Sequence, residues 1–240
     1  MPLNNRVEPE GTASYGQFCP VAMAAEIVCT RWTVLLLREF MAGSTRFNEL
    51  RRGVPRMSPA LLSKRLKELQ QAGIIEHRRG GLGEEPAYHL TPAGRDLRDV
   101  VWAMGHWGQR WVDAQLSLKN LDPSLLMWDM RRNLDPTPLP PRRATIQIQY
   151  PELPAARRYW WLLVDKGEVD LCSADPGYDV DLYVVSDLKT MTSIWMGLAS
   201  VQSEVDAGRL LLTGDSVLQR SMQRWLGLSP FAKERKLAAA

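Results

Sequence analysis

SPALLSKRLKELQQA, residues Ser58 to Ala72, is written as a helix with two unlike faces. Ser58 can cap the first turn through its hydroxyl, and Pro59 suits the first helical position, where a missing N–H costs nothing. Leu62, Leu66 and Leu69 recur at helical spacing and form one apolar stripe. The opposite face carries Ala60, Ser63, Lys64, Lys67 and Gln71, and Gly73 ends the helix. An ordinary amphipathic surface helix has the same grammar, so the surroundings decide. Between Ser44 and Arg79 nine basic residues (Arg46, Arg51, Arg52, Arg56, Lys64, Arg65, Lys67, Arg78, Arg79) face three acids (Glu49, Glu68, Glu76). The whole chain carries only +3, and from Leu116 onward it holds fifteen residues of each sign. A local basic surface on a near-neutral chain points to a polyanionic partner for one domain only.

The flanks read as follows. Upstream, Cys19-Pro20 opens a helix to Val28 or Cys29, Thr33 to Met41 is strongly apolar, and Thr45 to Arg52 is a short third helix before the Gly53-Val54-Pro55 turn. Downstream, Ile74 to Arg79 reads as a strand. A loop with Gly80, Gly81, Gly83 and Pro86 follows, then a second strand, Ala87 to Leu90. Helices, a reading helix and a glycine-tipped hairpin follow in the order of a winged helix-turn-helix. Thr91-Pro92 starts a further helix in which Leu97, Val100, Val101, Met104, Trp107 and Trp111 share a stripe too long for a small domain to cover.

These motifs resemble those of HxlR-type, MarR-like winged-helix regulators. The resemblance is carried by Cys19-Pro20, Arg31-Trp32-Thr33, Arg46-Phe47-Asn48-Glu49-Leu50, Met57-Ser58-Pro59, Leu62-Ser63-Lys64-Arg65-Leu66 and Tyr88-x-Leu90-Thr91-x-x-Gly94. It implies a double-stranded DNA partner. Ser63, Lys64 and Lys67 would face the major groove with Pro59 and Ala60 close by, Ser58 would meet a phosphate, and Arg56, Arg78 and Arg79 would contribute basic contacts, the last two at the wing. It also implies a homodimer, with Val101, Met104, Trp107 and Trp111 at the two-fold contact beside the Cys19 helix. Glu84 and Glu85 at the wing tip depart from a phosphate-binding wing. In some members of the family the Cys19 position senses oxidants. Its place at a helix N-terminus favours thiolate, but a small buried residue at the dimer contact is the blander alternative.

From Ala144 the periodicity changes to strands: Thr145–Tyr150, Arg158–Val164, Glu168–Cys172, Asp179–Val185 and Arg209–Thr213. Turns at Lys166-Gly167 and Asp175-Pro176-Gly177 separate the middle ones, and Ser186 is positioned to cap a helix to Met196. Further helices are expected over Ala199–Ala207 and Ser216–Leu226. This half resembles the sterol-carrier-protein-type lipid-binding domain through Asp179–Leu188 and Asp206–Asp215. The resemblance implies an antiparallel sheet covered by helices around an apolar cavity. Trp160, Leu162, Leu182, Val184, Met191, Trp195, Met196 and Leu210 would line it and hold an apolar small-molecule effector.

The fold class is thus α+β. Residues 15–115 form a winged helix-turn-helix and dimerisation domain, 116–141 a connecting helix and proline-rich linker, and 142–230 an effector-binding domain. There is no P-loop, GxGxxG, GxSxG or HExxH, the three histidines make no dyad, and Asp165, Asp170, Asp179 and Asp181 read as solubilising residues beside the strands. No catalytic residue, metal site or cofactor is expected. With three cysteines out of metal spacing, no membrane-length apolar run and no signal peptide, the expected setting is the cytoplasm. The combined expectation is a homodimeric transcriptional repressor. A thiol switch through Cys19, or a lipid-like carrier with a docking module, is the alternative.

Overall fold

The computed structural model describes residues 14–78, 86–113 and 118–237. The chain divides into two compact units, Met1–Met104 and Gly105–Ala240. Among the described residues no single helix is long and apolar enough to cross a membrane.

The first unit runs α1 (Pro20–Val28), α2 (Thr33–Met41), α3 (Phe47–Gly53), α4 (Pro59–Gln71), β1 (Ile75–Arg78), β2 (Ala87–Leu90), α5 (Pro92–Asp96) and the start of α6 (Arg98–Trp111). Its core joins Leu36, Leu37 and Phe40 of α2, Leu50 of α3, and Leu62, Leu66 and Leu69 of α4 to Ile74, Ile75 and Val101. Each of the three α4 leucines contributes about 1.5–3 kcal/mol by leaving water. The strands pair antiparallel with Ile75 opposite Leu90 and Arg78 opposite Ala87. The helix expected from Pro92 to Trp111 is interrupted at Leu97, which ends α5.

The second unit contains α7 (Pro123–Asn133), β3 (Ala144–Gln149), α8 (Ala155–Arg158), β4 (Tyr159–Asp165), β5 (Glu168–Cys172), β6 (Leu182–Ser186), α9 (Leu188–Trp195), α10 (Val201–Asp206), β7 (Leu210–Gly214) and α11 (Ser216–Trp225). The sheet order is β5-β4-β3-β6-β7. The expectation of an antiparallel sheet needs correcting, because the central pair β3–β6 is parallel. Hairpins carry β4 and β5 out on one side of β3, the second through the Lys166-Gly167 turn, whose residues both have positive φ. At the outer edge of β5, Arg131 Nε on α7 donates to the Val169 carbonyl at 2.9 Å. The chain crosses through residues 173–181 to the other edge of β3 and runs alongside it, and a strand that returns by such a crossover pairs parallel.

Alternation puts Ile146, Ile148, Leu162, Leu182, Val184 and Leu210 on one face, where α7, α9 and α11 cover them with Met127, Met130, Met191, Ile194, Met222 and Trp225. The Trp225 indole N–H is satisfied by the Leu218 carbonyl at 2.8 Å. Asp181 does more than solubilise. Its carboxylate accepts from the Thr145 N–H at 2.8 Å and from Arg142 at 2.6 Å, and its carbonyl accepts from the Asp215 N–H at 2.8 Å. Asp215 in turn caps α11 through Val217 and Leu218, and those backbone N–H groups hold its carboxyl below the ordinary aspartate range.

Two boundaries differ from the expectation. Ser186 stays in β6, and Asp187 caps α9 by accepting from the Thr190 N–H at 2.7 Å. The strand runs one residue further because its pairing with β7 extends to Ser186 opposite Leu210. The connecting helix and the proline-rich segment belong to the second unit. Leu126, Met127, Met130 and Leu134 are in its core, Leu139 packs on it, and the Asp135 N–H donates to the Trp225 carbonyl at 2.9 Å. That segment is anchored by packing, and the division between units falls within α6.

Candidate nucleic-acid interface

Ahead of α4, a buried ion pair on α2 reaches the end of α3. Glu39 on α2 is completely buried. It accepts from Arg38 Nε at 3.1 Å and Nη2 at 2.7 Å, and that same Nη2 donates to the Gly53 carbonyl at 3.0 Å. Gly53 closes α3 directly against this carboxylate, and a Cβ there would stand 1.9 Å from it. The junction of α2 with the end of α3 is therefore set by a charge and a missing side chain. Sequence reading passed over both, although an Arg-Glu pair inside the apolar run TVLLLREFM is the signal that could have found them. Glu49 ties down the start of α3, accepting from the Thr45 and Arg46 N–H groups at 2.9 and 3.0 Å.

Ser58 caps α4 as its position predicts, its hydroxyl accepting from the Leu61 N–H at 3.3 Å. With the leucine stripe inward, Pro59, Ala60, Ser63, Lys64 and Lys67 are exposed on the outer side, as are Ser58 and Arg56. Lys64 lies 4.0 Å from Glu68, an exposed pair that salt screens readily, whereas Arg65 is turned to Glu68 and mostly covered. Among the described residues Lys67 forms no salt bridge. The outer face of α4 thus offers two lysines and a hydroxyl beside a helix N-terminus whose dipole favours phosphate.

At the hairpin, Arg78 is exposed and held by Glu76, with Nε and Nη2 at 2.9 and 2.6 Å from one carboxylate oxygen. Arg79, Glu84 and Glu85 lie outside the described residues. The hairpin base is bonded to both neighbours. The Tyr88 N–H donates to the Thr45 carbonyl at 2.8 Å, and the Thr91 hydroxyl donates to the Gly73 carbonyl at 2.6 Å. A Cβ at Gly94 would meet the Ile74 carbonyl at 2.1 Å. The Tyr88-x-Leu90-Thr91-x-x-Gly94 motif therefore locks the end of α4 to the wing and to α5.

The remaining site residues are distributed as follows. On α6, Met104, Trp107 and Trp111 are 51%, 62% and 52% exposed, while Val101 is turned into the first unit's own core. Neighbouring residues are turned by about 100° around a helix, so Val101 points inward where Val100 is exposed. Near α1, Phe18 and Val21 are 98% and 76% exposed. Cys19 is half-buried before Pro20, and the backbone N–H groups of Ala22 and Val21 hold its thiol below the ordinary cysteine value. In the second unit Trp160, Leu162, Leu182, Val184, Met191, Trp195 and Leu210 are buried against one another, with Met196 packed on them. Among the described residues no group of His, Cys, Asp and Glu is arranged to hold a metal ion.

Residues 27–116 match the HxlR-like helix-turn-helix family. Over 101 residues the chain is 33% identical to the uncharacterized HTH-type transcriptional regulator YvaP of Bacillus subtilis, covering 40% of this chain and 92% of YvaP. It is 34% identical over 99 residues to the HTH-type transcriptional regulator YodB of the same organism, covering 40% of this chain and 87% of YodB. Among solved structures, the redox regulator HypR in its reduced form shares 30% identity, with a TM-score of 0.36 over 38% of this chain and 91% of that one.

Proposed function

Since the chain belongs to the HxlR-like helix-turn-helix family, we propose that it is a transcriptional regulator, a repressor, that binds an inverted repeat in double-stranded DNA as a homodimer. The observation that carries this reading is the outer face of α4, where Ser63, Lys64 and Lys67 are exposed on a helix capped by Ser58. Base edges are read by Ser63, Lys64 and Lys67, with Pro59 and Ala60 close to the groove. Ser58 and the helix start meet a phosphate, and Arg56, Arg78 and Arg79 hold the backbone. Met104, Trp107 and Trp111 supply the apolar contact between copies, since three large side chains on one helix stand in water in the single chain.

Selection from random duplexes tests the reading. The expected product is an inverted repeat with half-sites about one turn apart, roughly 34–36 Å. Trp107→Glu, which places a charge in the middle of the contact, should give monomers by sedimentation and lose the two-fold site while keeping the wild-type circular dichroism spectrum. Recovery of no enriched sequence by the wild-type dimer would refute the DNA reading, and a dimeric Trp107→Glu would refute this contact.

Two inputs are compatible with such a regulator. An apolar effector held in the second unit by Trp160, Leu162, Leu182, Val184, Met191, Trp195, Met196 and Leu210 should raise the melting temperature, because a ligand that binds only the folded state stabilises it. A screen of fatty acids, sterols and aromatic metabolites checks this. The second reading is a thiol switch, favoured by the lowered Cys19 thiol in a half-buried position. Under peroxide or diamide, wild-type DNA binding should fall, and Cys19→Ser should keep it. An equal fall in both proteins removes Cys19 from the mechanism.

A further inference from the structure

Residues 229–234, which follow α11, lie along the far half of α6, residues 105–111, and fit it closely. The Phe231 ring presses on Gly105, where a Cβ would stand 2.2 Å from it, and meets the His106 ring perpendicularly with centroids 5.3 Å apart. Glu234 reaches the same stretch of helix. One of its carboxylate oxygens lies 2.6 Å from Arg110 Nε and the other 2.9 Å from His106 Nδ1. The segment is also tied to the end of α9. The Ser229 N–H donates to the Trp195 carbonyl at 2.9 Å, and a Cβ at Gly197 would meet Ala232 at 2.8 Å. Gln109 Nε2 donates to the Met196 carbonyl at 3.2 Å beside it. All of these contacts lie within the second unit.

The far half of α6 is a weak helix by composition. Met104–Trp111 reads MGHWGQRW, and each glycine weakens a helix about fivefold relative to alanine. Gly105 has a steric reason in the Phe231 ring, whereas a Cβ at Gly108 would meet nothing within 4 Å. At 3.6 residues per turn the gripped residues, Gly105, His106, Gln109 and Arg110, share one side of the helix. Met104, Trp107 and Trp111 share the opposite side and stand exposed.

We propose that segment 229–234 is a strap that keeps the far half of α6 helical and so presents Trp107 and Trp111 as one surface, and that releasing it takes the dimer apart. Phe231 and Glu234 are its positioning residues. The second claim rests on α6 being the contact between copies. Because an inverted repeat is read by two copies, a loosened strap weakens DNA binding through the monomer–dimer equilibrium.

Hydrogen exchange in the full chain carrying Trp107→Glu reads the strap apart from the contact between copies. Phe231→Ala should speed exchange of the amides of residues 106–112 at least about tenfold while β3 and β4 keep their protection, and Glu234→Gln should do so to a smaller degree. Should Phe231→Ala unfold the sheet as well, Glu234→Gln decides alone. Gly105→Ala should act with opposite signs in two chains. Alone it speeds exchange, because its methyl evicts the ring. Added to Phe231→Ala it slows exchange about fivefold, because alanine is then only the better helix former. Unchanged exchange in both Phe231→Ala and Glu234→Gln overturns the strap, as does a Gly105→Ala effect of one sign in both chains. With Trp107 restored, Phe231→Ala should raise the dimer dissociation constant at least about tenfold by sedimentation. A loosened α6 with an unchanged dimer constant overturns the control of assembly and leaves the strap. A dimeric Trp107→Glu overturns the contact itself, and with it the control of assembly, whereas the exchange result stands.

Discussion

Gly53→Ala is expected to destabilise the first unit by about 3 kcal/mol or more, and to remove DNA binding with it. The added methyl would stand 1.9 Å from the Glu39 carboxylate, which is fully buried and bonded to Arg38, so it has no open space into which to retreat. Overpacking a core costs about 1–3 kcal/mol, and breaking a buried ion pair about 3–5 kcal/mol. This substitution does some of each, because the carboxylate can yield only by leaving Arg38, which also holds the Gly53 carbonyl. Gly108→Ala, made in the Trp107→Glu chain because Gly108 shares the α6 face of Met104 and Trp111, is the control. A Cβ there meets nothing within 4 Å, and alanine is favoured over glycine in a helix by about 1 kcal/mol. Urea titration followed by far-ultraviolet circular dichroism measures both. If Gly53→Ala unfolds at the wild-type midpoint, the account of the α2–α3 junction is wrong.

Lys64→Ala combined with Lys67→Ala is expected to lower affinity for a selected operator by about a hundredfold or more at physiological salt. Each lysine stands exposed on the outer face of α4, and a base-edge contact is worth about 1–3 kcal/mol. The way the loss is distributed assigns the roles. A lysine on a base edge should cost affinity for the operator alone. A lysine on phosphate should weaken all duplexes alike and flatten the dependence of log affinity on log salt by about one per contact removed. Neither side chain is part of the core, so the double variant should melt like wild type. Fluorescence anisotropy at several salt concentrations reads all of this, and wild-type operator affinity would remove α4 as the reading helix.

Much of the first unit was legible because its signals are local. Pro59 after Ser58, the leucine spacing and Gly73 bound α4 within a residue of where it runs, since caps and periodicity act inside the helix itself. The same holds for α2, found over Thr33–Met41, and for the alternation that put Ile146, Ile148 and Leu182 on one buried face. The residues that join α2 to α3 were hidden. Glu39 looked like one charge in a strongly apolar helix and Gly53 like a turn residue, and only their meeting across two helices gives either a role. Asp181 likewise read as a solubilising acid until it was found bonded to Thr145 on the neighbouring strand.

By itself the sequence determined the order of elements, the faces they bury and the family of the first unit, because those depend on spacing along one chain. Only the tertiary structure decided three further matters. The second sheet has a parallel pair at its centre, because the chain crosses over from β5 to the far edge of β3 instead of turning back in another hairpin. The apolar face of that sheet lies under α7, α9 and α11, and alternation along a strand cannot say which helices come to cover it. Phe231 and Glu234 grip Gly105 and Arg110 on α6, a meeting of side chains distant along the chain that no local pattern records.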